Sequence, residues 1–184
     1  MIKYAKVIDD EKGLCYVALG TNTDKYIEMG YTLLDVDLSD IDDNWYLASK
    51  CPHKSEEEKL KEAKDAKYQE ALIGAKDFIE NKAVYQFDDN NSIEATDGNI
   101  GKMTAYALGF QTGTIEHVYW TSKEDNVLEL DAQDVLRILT GLGEIQSNVW
   151  NIQFVAYKNA IENALTVQDV ESIVIDYEGQ NGNI

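Results

Sequence analysis

Pro52 is the only proline in the chain, and the sequence changes character across it. A proline fixes its own φ and biases the residue before it toward extended backbone, so regular structure is interrupted at 51–52. On the N-terminal side the apolar residues follow a short alternating rhythm. On the C-terminal side Ser55 is followed three residues later by Glu58, a capping box that opens a helix. No strong breaker except Gly74 then interrupts a helical pattern reaching about Asn81.

Residues 2–50 read as a small antiparallel β-rich unit. Tyr4–Ile8 and Leu14–Leu19 are strand-like and flank the turn Asp9-Asp10-Glu11-Lys12-Gly13, where Gly13 is free to take a positive φ. Thr23 is positioned to cap a short helix Asp24–Met29, ended by Gly30. Tyr31–Leu38 and Trp45–Ala48 read as two further strands across an acidic turn.

The helix after Pro52 is polar in its first half. Its second half carries Tyr68, Ala71, Leu72, Ala75, Phe78 and Ile79 on one face, so a solvated stalk becomes a packed helix. Period-two patterning then returns at Ala83–Phe87 and Ser92–Ala95, a hairpin around Asp88–Asn91. Thr96 or Asp97 caps a helix over roughly 99–111, and Ile115–Thr121 with Val127–Leu130 forms a second hairpin. Asp131 opens a long helix to about Ala164. Within it Val135, Ile138, Leu142, Ile145, Val149, Ile152 and Ala156 form a heptad stripe that further apolar positions widen. Coiled-coil seams are narrower, so a core helix is preferred to an oligomer seam. Thr166 caps a last helix, Val167–Tyr177.

The fold class is therefore α+β: a small antiparallel β-rich domain at 1–52, a charged helical linker at 53–82, a domain of β-hairpins packed on long helices at 83–179, and a tail at 180–184. Hydrophobic residues are 44% of the chain, enough for a core, and charged residues at 27% keep it in the globular class.

The net charge of −18 disfavours nucleic acid and anionic membrane surfaces, both of which require clustered Lys and Arg. The segment Met1–Lys6 has no apolar run of the signal-peptide kind, and no apolar stretch is long enough to span a bilayer. Two cysteines, Cys15 and Cys51, are too few for a disulfide scaffold and read as ordinary thiols of a reducing cytoplasm, with their pairing left open.

Chemistry is sparse. The histidines are His53, in the Cys51-Pro52-His53 linker, and His117, in a strand where it reads as half-buried packing; no second Cys/His pair completes a zinc site. Asp88, Asn90 and Ser92 are spaced like the start of a calcium loop, but Ile93 and Asn99 stand where Gly and Glu are required, so a hairpin turn is preferred to a weak cation site. Thr140-Gly141-Leu142-Gly143-Glu144 lies inside the long helix without a phosphate-binding Lys and reads as a kink or a close-packing point. No catalytic, cofactor or metal residue is assigned, and the chain is expected not to be an enzyme. The candidate interface residues are Tyr16, Tyr31, Trp45 and Tyr46, aromatics of the first unit.

Lys3–Ile8, Gly20-Thr21-Asn22 and Asn44–Leu47 resemble the opening of small tail-region proteins of phages and prophages. Tyr85–Asp88, Thr96–Gly101, Val118–Thr121 and Ala164–Ile173 resemble a family of undefined function among phage tail and tail-fibre-associated proteins. The resemblance implies a non-catalytic structural or assembly protein, an adaptor or chaperone, with other tail or fibre proteins or further copies of itself as partners. It would reside in the host cytoplasm during assembly or in the virion tail. The alternative is a module that binds a host-surface glycan.

Overall fold

The computed structural model describes residues 1–178, so the tail expected at 180–184 lies outside the described residues. The chain is α+β and divides into two compact units that meet at Lys59/Leu60.

The first unit contains strands β1 (Ile2–Asp9), β2 (Leu14–Val17), β3 (Thr32–Leu38) and β4 (Trp45–Leu47), with helix α1 (Thr23–Glu28) between β2 and β3. All pairings are antiparallel, and the order β1-β2-β4-β3 closes on itself as a barrel because β1 also pairs with β3. Closure removes the unpaired edges that a four-stranded sheet would otherwise expose. Alternation sends Ala5, Cys15 and Val36 inward, where they are buried, with Val7, Val17, Leu34, Trp45 and Leu47 packed around them. The β1–β2 turn depends on Gly13, which has φ +74 and lies under the Lys50 side chain, where a Cβ would come within 2.8 Å. Lys50 crosses it to donate to the carbonyls of Asp10 and Glu11. Both cysteines are free; burial pushes the Cys15 thiol above its ordinary range. Helix α1 begins one residue earlier than expected, because the carboxamide of Asn22, not Thr23, accepts from Lys25 N at 3.2 Å.

Helix α2 (Glu56–Asn81) starts at the expected capping box: Glu58 N donates to Ser55 Oγ, and the Glu58 carboxylate accepts from Ser55 N at 2.8 Å. The unit boundary falls within the early turns of α2, so residues 60–81 belong to the second unit and do not stand apart as a linker. Ala71, Ala75, Phe78 and Ile79 are buried there, which explains the placement.

The second unit continues with hairpin β5 (Val84–Asp88) and β6 (Asn91–Glu94), helix α3 (Asp97–Gln111), and hairpin β7 (Val118–Thr121) and β8 (Val127–Leu130). Helix α4 (Ala132–Ser147) follows, then a π-helical turn Asn148–Gln153, α5 (Phe154–Asn163) and α6 (Val167–Glu171). Asp131 caps α4 through a full capping box with Asp134. Val135, Ile138, Leu142 and Val149 are buried in one core with Phe78, Ile93, Met103, Trp120 and Leu130. Each such side chain, removed from water, contributes roughly 1.5–3 kcal/mol.

The heptad stripe is therefore satisfied inside the unit as far as Val149. Beyond it the π turn moves the buried face on by one residue: Ile152 is 64% exposed, and Gln153, Tyr157 and Ile161 take the inward positions. Gln153 is buried with no hydrogen-bond partner for its amide among the described residues, a cost that the surrounding apolar burial offsets.

Three expected spans are corrected. Helix α3 starts at Asp97, capped by Thr96. The second hairpin begins at Val118, not Ile115, since Ile115 turns to pack against Gly109, where a Cβ would lie 2.7 Å from it. The last helix stops at Glu171 rather than Tyr177. Tyr177 instead enters the core against Gly74 and Phe78, with its hydroxyl donating to the Ala71 carbonyl at 2.9 Å, and burial pushes that hydroxyl up to about 12.

The glycines of α4 differ sharply. A Cβ on Gly141 would lie 2.2 Å from the Tyr85 ring, whereas Gly143 has open space. Gly143→Ala is expected to stabilise the protein by up to about 1 kcal/mol through helix propensity. Gly141→Ala, only half a turn away, is expected to destabilise it by about 1–3 kcal/mol through overpacking. Urea unfolding of both variants measures the two signs.

Candidate binding site

Three adjoining cavities run along one side of α4. The first, about 520 Å³, lies between α3 and the start of α4 and is lined by Thr104, Leu108, Phe110 and Leu136 among others, with no charged residue. Leu136 also borders the second, a shallow depression of about 370 Å³ lined by Arg137, Thr140 and Tyr85. Tyr85, Gly141 and Glu144 line both the second and the third, about 550 Å³, whose far wall is Phe78, Ile145, Lys82 and Glu178.

Local structure sets this arrangement. Tyr85 pairs with Ile93 across the hairpin, and its ring is seated on the bare backbone of Gly141. The Arg137 guanidinium lies 4.3 Å from the centre of the Phe87 ring and 3.3 Å from the Asp134 carboxylate. Lys82 pairs with Glu178 and approaches Asp77 at 3.9 Å; those carboxylates, Glu178 foremost, raise the Lys82 ammonium above its ordinary range. The Glu144 carboxylate has no hydrogen-bond or ion-pair partner among the described residues, and the residue stands exposed beside Tyr85. The two cations of this rim are thus already matched, while one carboxylate is not.

The four aromatics proposed from the sequence do not form one cluster. Tyr16 is exposed on the outer face of β2. Tyr31 is half-buried, with its ring tilted against Tyr26 at 5.4 Å. Trp45 points into the barrel core and carries the Lys3 ammonium 4.2 Å from its ring centre. Tyr46 is buried, and its hydroxyl donates to Asp42 at 2.8 Å. The Asn44 carboxamide and that hydroxyl hold the Asp42 carboxyl down to about 2.

His53 lies 3.6 Å from the Asp37 carboxylate and 3.5 Å from that of Asp40. Partial burial, then the charges of Asp37, Asp40 and Asp42, push the Cys51 thiol up, which disfavours the thiolate a nucleophile requires. His117 is exposed, not half-buried, because the strand starts one residue after it; it meets Tyr119 edge-on and lies 3.9 Å from Glu129.

The Asp88 loop is held as a turn. Asp88 accepts from Asn90 N at 2.8 Å and from the Asn91 carboxamide at 2.9 Å with both oxygens, while Ser92 donates through N and Oγ to Glu124 of the other hairpin. Two of its three would-be cation ligands, Asp88 and Ser92, therefore point into protein hydrogen bonds.

The Tyr85–Gly141–Glu144 site was not assigned from the sequence. Its one legible signal was Gly141 itself, a glycine interrupting an apolar stripe at an inward position; the structure resolves that reading as close packing.

The Ser92 hydroxyl, then its backbone N–H, lower the Glu124 carboxyl from its ordinary value of 4.5 to about 2. A depressed folded value means that the stabilisation is present above pH 4.5 and is lost as pH falls toward 2. Glu124→Gln is expected to flatten the stability profile in that window, read as the urea midpoint at successive pH values. No known protein family, no curated protein and no solved structure matches the chain.

Proposed function

We propose that this chain is a non-catalytic adaptor or assembly protein that engages partners through both of its units, in the tail region of a bacteriophage or prophage. One observation carries the adaptor reading: each unit closes a core of its own and still presents large apolar side chains. In the first unit Leu33 and Tyr16 are 60% and 61% exposed; in the second Leu136 and Leu108 are 55% and 61% exposed on either side of an uncharged cavity. We take these exposed apolar side chains as the places where the two units would meet partners. The phage setting is supported by the motif resemblance alone. The host cytoplasm during assembly, or the virion tail, is the place proposed for it.

No helix among the described residues is long and apolar enough to cross a membrane. Glycan binding has less support, since sugars stack on open aromatic faces and the Trp45 ring is turned inward and covered by Lys3, while Tyr46 is buried. Catalysis has little to build on, with the Cys51 thiol pushed up by burial and neighbouring carboxylates and His53 set between two carboxylates.

The test is affinity capture of the tagged full chain from induced phage-carrying cells, with mass spectrometry of purified virions. Capture of a tail or fibre protein is expected, and Leu33→Ser and Leu108→Ser should each lose a different partner. Capture of no phage protein by the unmodified chain would contradict the phage setting. Equal capture by both variants and the unmodified chain would contradict the adaptor reading.

A further inference from the structure

The three cavities beside α4 form one trough, because Leu136 is common to the first and second and Tyr85, Gly141 and Glu144 to the second and third. From Ala132 to Glu144 the helix rises on the order of 18 Å, the reach of about five or six residues of extended chain. Its two ends differ chemically. The Leu108/Leu136 end is apolar and uncharged. At the other end Glu144 is the unmatched charge, since Arg137 is taken by Asp134 and Lys82 by Glu178.

We infer that the trough binds a short extended segment of a partner protein carrying a bulky apolar side chain and, four residues away, a Lys or Arg. The proposal deepens the adaptor reading and rests on it. The spacing follows from the helix: Leu136 and Glu144 are separated by a rise of about 12 Å, close to four residues at roughly 3.3 Å each. Residues i and i+4 of an extended segment lie on the same face, so both side chains turn toward the trough together. The apolar side chain fills the uncharged cavity between α3 and α4. The basic stem lies along the Tyr85 ring, a favourable surface for a cation, and its charged end meets the Glu144 carboxylate. Charge complementarity sets the sign of the partner: the chain carries −18, and among the described residues the one unmatched charged group of the trough is an anion. An acidic segment would leave Glu144 facing a like charge.

The test is a peptide array in which one Leu is fixed in a Gly/Ser background and a single Lys is placed one to six positions away, probed with the full chain. The strongest signal is expected at a spacing of four, falling at least fivefold when that Lys is replaced by Glu. Glu144→Gln should remove the spacing preference without altering unfolding, because Glu144 is exposed and its carboxylate makes no hydrogen bond or ion pair among the described residues. A signal indifferent to spacing, or unchanged in Glu144→Gln, would overturn the inference, as would occupation of the trough by a second copy, seen as self-association lost on Leu136→Ser. Capture by Glu144→Gln from induced cells separates the two proposals. If the variant retains every partner of the unmodified chain, the trough inference fails and the adaptor reading stands; if the unmodified chain captures nothing, the adaptor reading itself fails.

Discussion

The second unit depends on the missing side chain at Gly141. Helix α4 buries Val135, Ile138, Leu142 and Val149 in one core, and Gly141 lies beside that stripe where hairpin β5–β6 must pass. With hydrogen in place of a methyl group, the Tyr85 ring reaches the helix backbone and the hairpin can close with its Ile93 in the same core as Phe78. Any larger residue would hold the hairpin away by the width of a methyl group, and close-packed interiors transmit a shift of that size to their neighbours. Tyr85 and Gly141 line a cavity on each side of this contact, so one glycine accounts for both a packing solution and the shape of the proposed trough.

Much of the local structure was legible because it is governed by local chemistry. The capping boxes at Ser55/Glu58 and Thr166/Asp169 formed as their spacing implied, and the alternation that buries Val118 and Trp120 while exposing Tyr119 follows from strand geometry alone. What could not be read were the features that long-range packing decides. Nothing local in β1 and β3 announces that the two strands pair to close a barrel. The π turn at Asn148–Gln153 displaces the heptad by one residue, exposing Ile152 and burying Gln153 against their intrinsic preferences. Tyr177 leaves a helical pattern because the gap over Gly74 rewards an aromatic ring more than one further helical turn does.

The candidate site was less legible than the fold for the same reason. Tyr16, Tyr31, Trp45 and Tyr46 were chosen by residue type, and their environments then separate them: one exposed, one half-buried against Tyr26, one facing the core and one buried on Asp42. The trough is assembled from α3, α4 and β5, separate elements of the chain, and the group proposed to select its ligand, Glu144, is one of 34 acidic residues. Only the pairing of the neighbouring cations makes that carboxylate distinctive.

The most direct test of this account is the nuclear magnetic resonance spectrum of the Gly141 α-protons in the full chain. Seated under the Tyr85 ring, at least one should be displaced upfield by the ring current and should show strong Overhauser contacts to the ring protons of Tyr85. Gly143, with nothing near it, should show neither. Gly141 α-protons at ordinary positions without contacts to Tyr85 would mean that the hairpin does not rest on α4, and both the packing argument and the trough would fall with it.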